Sequence, residues 1–207
     1  MFSNMAHMTR TRLSPTERRA QLLDLGMVLL AERGLDDLSI DVLAEHAGIS
    51  RGLLYHYFSD KRDFHLAVLR RMSEEVVAIT APPVEGTPLT RMMASLEAYV
   101  GFVGTNRDAY ASFLRAARSG DADFHAIYEE SRTALLDRIF EVSTPEELEP
   151  LGLRDDARGH LLVRGWSALV EETVMAWLED PAGLSHEDLI ALLTGALPGV
   201  ALALQPA

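Results

Sequence analysis

Residues 39–61 concentrate the side chains best suited to recognising another molecule. Arg51 carries a planar guanidinium that can donate two hydrogen bonds to a guanine edge, and Gly52 beside it allows close backbone approach. The side chains of residues 55–57 can donate to phosphate oxygens, and helix N-termini offer backbone N–H groups to the same anion. We therefore predict that one set of residues contacts DNA: Ser39, Ser50, Arg51, Gly52, Tyr55, His56, Tyr57 and Lys61.

These residues can contact DNA together only if two short helices that cross at a fixed angle hold them in place. Ser39 is a helix-capping residue, and apolar positions follow it at helical spacing until Gly48, where a tight turn precedes a second helix over 51–58. The pattern predicts a helix-turn-helix whose second helix enters the major groove. Three apolar side chains are placed to pack between the two helices: Ala44, Ile49 and Leu54.

Other roles remain open for several of these residues. Lys61 is the only lysine of the chain, and it could be a solvated side chain at a helix start. The aromatic side chains of residues 55–57 could pack on the first helix, although three adjacent residues cannot all face one core. Arg10 and Arg12 could reach a minor groove as a flexible arm or could belong to a solvated tail.

A second group of polar residues could perform catalysis or bind a metal. His125 and Glu129 lie one helical turn apart, and Asp121 and Asp123 precede them. We favour a structural interpretation, in which the aspartates cap a helix and the histidine and glutamate form an exposed pair. The sequence contains no zinc-protease motif, nucleophile elbow or phosphate-binding loop, and cysteine is absent. We therefore predict no catalytic site, no metal and no cofactor.

The charge of the 207-residue chain is divided unevenly. The net charge is −12, yet residues 1–72 hold ten basic and nine acidic residues, so the acidic excess lies in residues 73–207. The N-terminal part can approach a polyanion, whereas phosphate would repel the rest. This distribution is typical of a small DNA-reading head on a larger body.

Hydrophobic periodicity predicts an all-α fold of about nine helices, because no stretch alternates at period two for long. Ser14, Pro15 and Glu17 form a capping box that starts the first helix, which Arg33 and Gly34 end. The predicted units are a flexible arm over 1–13, a helix-turn-helix domain over 14–60, a connecting helix over 61–79 and a ligand-binding and dimerisation domain over 80–207. Helices of the last unit are predicted at 88–105, 107–119, 121–143, 154–180 and 185–204.

The last two predicted helices carry the candidate dimer interface. Their apolar stripe is too continuous for a surface helix, and small residues would let a partner helix approach, although both helices could instead fill the core of one protomer. Because Pro198 and Gly199 interrupt the apolar run over 189–204, which is also short, we expect no membrane span and a cytoplasmic location. The predicted interface residues are Gly165, Ala168, Leu189, Leu193, Ala196, Leu197 and Val200.

Aromatic and polar side chains of the middle helices could line a pocket for a small, largely apolar effector. Aromatic residues at helical spacing are usually core residues, so this alternative stays open for each of them. The predicted ligand-binding residues are Tyr99, Phe102, Phe113, Phe124, Tyr128, Arg132, Trp166 and Glu171.

The run LSIDVLAEHAGISRGLLYHYFSDKRDFHLAVL resembles the helix-turn-helix signature of the tetracycline-repressor (TetR) family, and the resemblance extends over Leu22–Leu69. It implies that Ala44, Ile49, Leu54 and Phe58 are structural, while the positions that face DNA are Ser39, Arg51, Gly52, Tyr55, His56, Tyr57 and Lys61. It also implies that two C-terminal helices from each subunit form a four-helix bundle. The sequence departs from the pattern at Leu30, where phenylalanine is usual, and at Tyr57, where histidine is common.

These observations together predict a regulator of transcription. The expected protein is a homodimer that binds a palindromic double-stranded operator under control of a small effector, and repression is the commoner behaviour in the family that it resembles. The alternatives are an enzyme and a helical binding or adaptor protein that does not bind DNA. The sequence does not identify the effector, the operator or the direction of the response.

Overall fold

A computed structural model describes residues 14–203 of the chain. This part contains ten α-helices, one short 3-10 helix and no strand, so the predicted all-α class is confirmed. The predicted arm over residues 1–13 lies outside the described residues. In chain order the helices are α1 (Pro15–Asp37), α2 (Ile40–Ala47), α3 (Arg51–Leu54), α4 (Lys61–Ile79), α5 (Pro88–Thr105), α6 (Arg107–Ala117), α7 (Ala122–Glu141), α8 (Pro145–Leu148), the 3-10 helix Glu149–Leu151, α9 (Ala157–Glu179) and α10 (His186–Ala203).

The start of α1 has the predicted capping box. The Ser14 hydroxyl accepts a hydrogen bond from the Glu17 N–H at 3.2 Å, and the Glu17 carboxylate accepts one from the Ser14 N–H at 2.7 Å. Two of the N–H groups that every helix start leaves without helical partners are thereby satisfied. Helical geometry breaks at Gly34, whose φ is +75°, and one further turn carries the chain to Asp37.

Helix α8 was not predicted from the sequence. It lies in the connection between the predicted helices over 121–143 and 154–180. It is a single turn that begins with Thr144 as its cap, Pro145 at the first position and Glu147 completing a second capping box. Leu148 at its end is 2% exposed and packs in a small apolar cluster with Phe140 and Leu197. The prediction of about nine helices missed this turn because four residues are too few to show a period.

One apolar core runs from the helix-turn-helix into the body. α1 packs against α4 and α6, and α4 packs against α7. Buried side chains of α2, α6 and α9, for example Leu43, Phe113 and Val174, belong to the same cluster. The helices that carry the reading segment and the helices of the body therefore share one packed core.

α1 and α4 approach each other closely at Gly26. A Cβ atom at this position would lie 2.7 Å from Val68 Cγ2 and 3.1 Å from Phe64 Cε2. Overpacking of this kind costs about 1–3 kcal/mol, so we expect Gly26→Ala to lower the free energy of unfolding by that amount. Denaturant titration followed by circular dichroism measures the change.

Gly101 supplies the matched control for this prediction. It lies inside α5, and a Cβ atom there would meet nothing within 4 Å. Since alanine favours a helix over glycine, Gly101→Ala should be neutral or stabilising by up to about 1 kcal/mol. Equal stability of both variants would contradict the close α1–α4 contact.

The apolar run of α10 packs into the protomer. Leu189 and Leu193 are fully buried, and Leu197 is 1% exposed. Pro198 lies inside the helix. Within residues 14–203 no helix is both long and apolar enough to cross a membrane.

Candidate DNA-reading surface and internal cavity

The two short helices of the candidate reading head are capped by serine hydroxyls. Ser39 accepts a hydrogen bond from the Val42 N–H at 3.2 Å, and Ser50 accepts one from the Leu53 N–H at 3.3 Å. Between the helices Gly48 takes a left-handed conformation with φ of +63°, which glycine adopts at little cost. Ser39 and Ser50 therefore fix helix starts, and an N–H donor already uses an acceptor site of each hydroxyl.

The second helix of the head is shorter than the predicted 51–58. α3 ends at Leu54, and hydrogen-bonded turns continue to Phe58, whose N–H donates to the Leu54 carbonyl at 2.9 Å. Leu54 is fully buried and Phe58 is 1% exposed, so these two side chains anchor the segment on the head. The side chains between them, those of Tyr55, His56 and Tyr57, point in different directions.

The structure divides the aromatic triad that the sequence singled out. Tyr55 is 56% exposed and His56 is exposed, whereas Tyr57 is half-buried and packs against the head core. The imidazole of His56 contacts the Tyr57 ring edge to face, with ring centroids 5.4 Å apart. The ring of Tyr57 therefore packs on the protein, which is the alternative role considered above for residues 55–57. Leu53, which the sequence analysis did not select, is 39% exposed on the same segment.

Arg51 and Lys61 each have a partner within the protein. The Arg51 guanidinium pairs with the Asp41 carboxylate of α2, and the two side chains are 68% and 55% exposed. Exposed pairs contribute little to stability, so Arg51 can exchange this carboxylate for a base edge. The Lys61 ammonium donates to the Asp36 carbonyl at 2.8 Å and retains two further protons for a phosphate.

A cavity of about 160 Å³ lies between α4 and the helices of the body. Its lining residues on α7 run from Tyr128 to Val142, which corresponds to a helical rise of about 21 Å. Apolar side chains such as Leu96, Leu135 and Val170 make up most of the wall. α4 contributes Ser73 and Val76 to the lining, and Thr80, which caps its C-terminal end, lies beside them.

Hydroxyl and carboxylate groups are clustered in one part of this cavity. The Tyr128 hydroxyl donates to the Glu171 carboxylate at 3.0 Å, and Arg118 donates to the same carboxylate at 2.8 Å. Burial and the negative charge of Glu171 raise the pKa of Tyr128 to about 12. The hydroxyls of Tyr99 and Tyr110 lie 3.1 Å apart, and burial raises the pKa of each. These tyrosines are therefore neutral hydrogen-bonding groups near neutral pH.

Six of the eight predicted ligand-binding residues line the cavity: Tyr99, Phe113, Tyr128, Arg132, Trp166 and Glu171. Phe102 and Phe124 are not among the lining residues, so the structure does not bring them to this space. Phe102 is buried in the core at 4% exposure, and Phe124 packs under the Arg62 guanidinium, 5.4 Å from its ring centre. The sequence analysis missed Arg91 and Tyr110, which also line the cavity.

An ion-pair cluster joins the start of α4 to the start of α7. The Arg62 guanidinium donates to the Asp121 carboxylate at 2.6 and 3.1 Å and to Asp123 at 2.6 Å. Asp121 also caps α7 by accepting from the Phe124 N–H, and hydrogen bonding to Arg62 lowers the pKa of Asp121 to about 2. The predicted capping role of Asp121 is present, and the bridge to Arg62 adds a link between head and body.

No group of three or more histidine, aspartate and glutamate residues is placed to hold a metal ion within residues 14–203. His125 is exposed at the start of α7. Glu129, one turn later, pairs with Arg164 of α9 at 2.5 Å and with Arg132 at 3.9 Å. The predicted exposed pair of His125 and Glu129 is therefore wrong, because Glu129 joins α7 to α9 instead.

Comparison with known proteins decides the family. The family model for bacterial regulatory proteins of the tetR family matches residues 22–68. A second model, for tetracyclin repressor-like C-terminal domains, matches residues 88–197, and this match alone covers more than half of the chain. The chain belongs to the TetR family. It is a DNA-binding transcriptional regulator and not an enzyme.

The relatives of this chain include both an activator and a repressor of transcription. The HTH-type transcriptional activator FasR of Mycolicibacterium smegmatis is 24% identical over 181 residues, which cover 86% of this chain and 80% of the relative. The HTH-type transcriptional repressor KstR2 of Mycobacterium tuberculosis is 36% identical over 97 residues, 44% of this chain and 48% of the relative. A crystal structure of a tetR-family regulator from Streptomyces coelicolor has a TM-score of 0.73 and 28% identity, and covers 94% of this chain and 92% of that one.

The residues predicted for a TetR-type dimer interface separate into two groups. Leu189, Leu193 and Leu197 fill the core of the protomer, which corrects the prediction for these three, because a buried side chain offers a partner no surface. Gly165, Ala168 and Val200 are exposed, and Ala196 is half-buried. Exposed leucines that were not predicted continue the surface at helical spacing. We define the α9–α10 face as Leu161, Gly165, Ala168, Leu169, Leu192, Ala196 and Val200.

Proposed function

We propose that this TetR-family regulator is a repressor that binds a palindromic operator as a homodimer and responds to a small, largely apolar effector. The observation that carries the proposal is the course of α4. It begins at Lys61 beside the reading segment, and its later residues Ser73 and Val76 line the cavity, as does Thr80 directly after its end. One helix thus touches both candidate sites, so an effector that favours one position of α4 also favours one position of the head.

The α9–α10 face supports the dimeric part of the proposal. Leu161 is 70% exposed, Leu192 51% and Val200 52%, although each lies on a long helix of the body. Apolar patches of this kind mark interaction surfaces, and the small residues between the leucines let a second helix pair approach. A two-fold axis through this face would give the dimer two heads related by symmetry, and two such heads read a palindromic operator whose half-sites are about 34–36 Å apart.

The bridge from Arg62 to Asp121 and Asp123 supports a route between cavity and head. Arg62 follows Lys61 at the start of α4, and Tyr128 of the cavity lies on the second turn of α7. A shift of α7 on effector binding would therefore pull on the start of α4 beside the reading segment. By linkage, operator binding must affect α7 to the same extent in free energy.

We expect Arg62→Gln to weaken this coupling while both sites remain intact. Hydrogen exchange over residues 122–131, measured by mass spectrometry with and without operator DNA, reports the coupling without an effector. In the unsubstituted protein, operator binding should slow exchange in this segment several-fold, and in Arg62→Gln the difference should largely disappear.

Arg71→Gln is the matched control, because Arg71 is a second arginine of α4 and its guanidinium pairs with Asp24 of α1 at 3.1 Å. That pair joins α4 to α1 and involves no helix of the body. Operator-dependent protection should survive in Arg71→Gln. Protection that survives equally in Arg62→Gln would show that the signal takes another route.

Gel-shift measurements with genomic fragments selected by the purified protein test the proposed function as a whole. We expect a salt-sensitive shift on a fragment with an inverted repeat, at a stoichiometry of one dimer per operator. In vivo, deletion of the regulator should raise transcription from that fragment. Lower transcription would establish an activator, and a single half-site would refute the two-fold arrangement.

A further inference from the structure

Four residues of the cavity lining form two neighbouring hydrogen-bonded pairs. The hydroxyl oxygens of Tyr99 and Tyr110 lie 3.1 Å apart, and Tyr128 donates to the Glu171 carboxylate at 3.0 Å. Burial and then the charge of Glu171 raise the pKa of Tyr110, so the carboxylate also lies close to the first pair. All four residues line the cavity. We call Tyr99, Tyr110, Tyr128 and Glu171 the oxygen cluster.

One O–H group of the oxygen cluster has no acceptor from the protein. Tyr99 and Tyr110 are only 9% and 5% exposed, so bulk water does not solvate their hydroxyls freely. Two hydroxyl groups carry two protons, and the single hydrogen bond between them uses one. Neither hydroxyl makes another hydrogen bond within residues 14–203. Because buried donors are almost always paired, the second proton favours a ligand that brings an acceptor oxygen.

The oxygen cluster also keeps unused acceptor capacity on Glu171. This side chain is 11% exposed, and its carboxylate accepts from Tyr128 at 3.0 Å and from Arg118 at 2.8 Å. A carboxylate has about four lone-pair positions, so a further donor can be accommodated. The cluster therefore offers one donor and one acceptor, and a single hydroxyl group on a ligand can use both.

The charges around the oxygen cluster disfavour an anion. After burial, the charge of Glu171 is the strongest influence that raises the pKa of Tyr110, and it outweighs the opposite effect of Arg118. Arg118 is 63% exposed, so water and salt screen its charge. Glu171 likewise raises the pKa of Tyr128 more than Arg132 lowers it, again after burial. A ligand carboxylate beside these oxygens would therefore meet net negative charge, whereas a neutral hydroxyl group would not.

The two other arginines of the lining lie at a distance from the oxygen cluster. Along α5 the helical rise between Arg91 and Tyr99 is about 12 Å. Along α7 the rise from Tyr128 to Arg138 is about 15 Å. Arg91 pairs with Glu147 at 3.2 Å, and Arg138 donates to a backbone carbonyl of α4. An anion held at the cluster would thus gain little from these two cations.

The volume of the cavity favours a ligand of about one ring. It is about 160 Å³, and a cavity of about 150 Å³ in another protein binds benzene. Aromatic rings follow one another along the wall, with ring centroids 5.9 Å apart for Tyr110 and Phe113 and 6.1 Å apart for Phe113 and Tyr128. A ligand ring can extend this series through edge-to-face or offset contacts.

We propose that the effector is a small, uncharged phenol, whose hydroxyl group accepts a hydrogen bond from the Tyr99–Tyr110 pair and donates one to the Glu171 carboxylate. This inference rests on the proposed function, because it takes the cavity as the effector site. It adds the class of molecule that the site selects. Hydrogen bonds to an ionised carboxylate are stronger than neutral ones, so the phenolic proton should dominate the selectivity.

Probes of one ring each test the proposal by calorimetric titration of the full chain. They are p-cresol, its methyl ether, which keeps the oxygen but lacks the proton, p-xylene, which lacks both, and the p-toluate anion. p-Xylene would bind best to a cavity that selects by hydrophobicity alone. We expect p-cresol to bind at least about fivefold more tightly than the ether or p-xylene, and p-toluate to bind most weakly.

Three outcomes of this titration would overturn the proposal. They are affinity for the ether or p-xylene equal to or above that for p-cresol, tighter binding of p-toluate than of p-cresol, and no binding of any probe. Because the comparison uses the unsubstituted protein, it does not depend on the folding of a variant.

Variants assign the selectivity to the oxygen cluster. The double substitution Tyr99→Phe with Tyr110→Phe removes the unmatched donor, so the preference for p-cresol over p-xylene should fall at least about threefold. Glu171→Gln removes the negative charge, so affinity for p-toluate should rise about tenfold or more relative to p-xylene. A p-cresol preference that persists in the first variant, or an unchanged ratio of p-toluate to p-xylene in the second, would contradict the assignment.

Thr194→Val is the matched control. Thr194 also has a buried hydroxyl without a partner in the described chain, but it does not line the cavity. This variant should keep the full p-cresol preference. In every variant the affinity for p-xylene, which has no charge and no polar proton, shows whether the cavity is intact.

Operator binding measured in the same samples separates this proposal from the proposed function. A p-cresol preference without any change in operator affinity supports the inference and refutes a ligand response through this cavity. If p-cresol and p-xylene bind equally and change operator affinity equally, the ligand response stands and the inference fails.

Discussion

Arg51→Ala should lower affinity for the operator by roughly 1–3 kcal/mol, or about 5- to 150-fold, and should leave affinity for random DNA nearly unchanged. The physical reason is that Arg51 projects from the first position of α3 and is highly exposed, so its guanidinium can reach a base edge. Fluorescence anisotropy with an operator duplex and a scrambled duplex at several salt concentrations measures both affinities.

Lys61→Ala is the comparison for this prediction. The Lys61 ammonium is a point charge beside the reading segment, and a phosphate contact carries no sequence information. Its loss should weaken binding to both duplexes alike and lower the slope of log affinity against log salt by roughly one. Equal losses on operator and random DNA for Arg51→Ala would contradict its assignment to a base edge.

Ala168→Arg should convert the dimer into a monomer and reduce operator affinity by about 10²–10⁴-fold, because the second head then loses the effective concentration that linkage provides. Ala168 lies in the middle of the α9–α10 face and is exposed, so the substitution leaves the protomer core unchanged. Light scattering after size-exclusion chromatography measures the mass, and anisotropy measures the affinity.

Ala134→Arg places the same side chain on an exposed position of α7. This control should remain dimeric with unchanged operator affinity. A dimeric Ala168→Arg variant with full affinity would move the interface away from the α9–α10 face.

Local sequence signals predicted the beginnings and ends of long helices. Ser14 and Glu17 form the predicted box, and Gly48 ends α2 at the predicted turn. The same kind of box at Thr144 and Glu147 was missed because no periodic segment follows it. Cap chemistry is therefore informative even where a helix is only one turn long.

Contacts between distant segments could not be predicted from local patterns. The leucine stripe of α10 has the same spacing whether it packs in its own protomer or against a partner, and only the structure shows Leu193 in the core. Arg62 and Asp121 are 59 residues apart, so no local period reveals their pairing. On α5 the helical rotation turns Tyr99 toward the cavity and Phe102 away from it.

The head was predicted more accurately than the cavity for a physical reason. A helix-turn-helix is built from residues that are close in sequence, so capping, turn and apolar spacing together define it. The cavity draws its lining from seven helices, α4 to α10, so the side chains that reach it depend on how those helices pack. Arg91 and Tyr110 therefore emerge only from the folded chain.

Residues 50–57 are expected to present their exposed side chains to the major groove of the operator. Backbone amide shifts of the labelled protein, recorded with the selected operator duplex and with a scrambled duplex, test it most directly. We expect the largest operator-specific changes within residues 50–57, with Arg51 foremost and with smaller changes at Lys61. Tight, operator-specific binding that leaves the amides of residues 50–57 unshifted would contradict it.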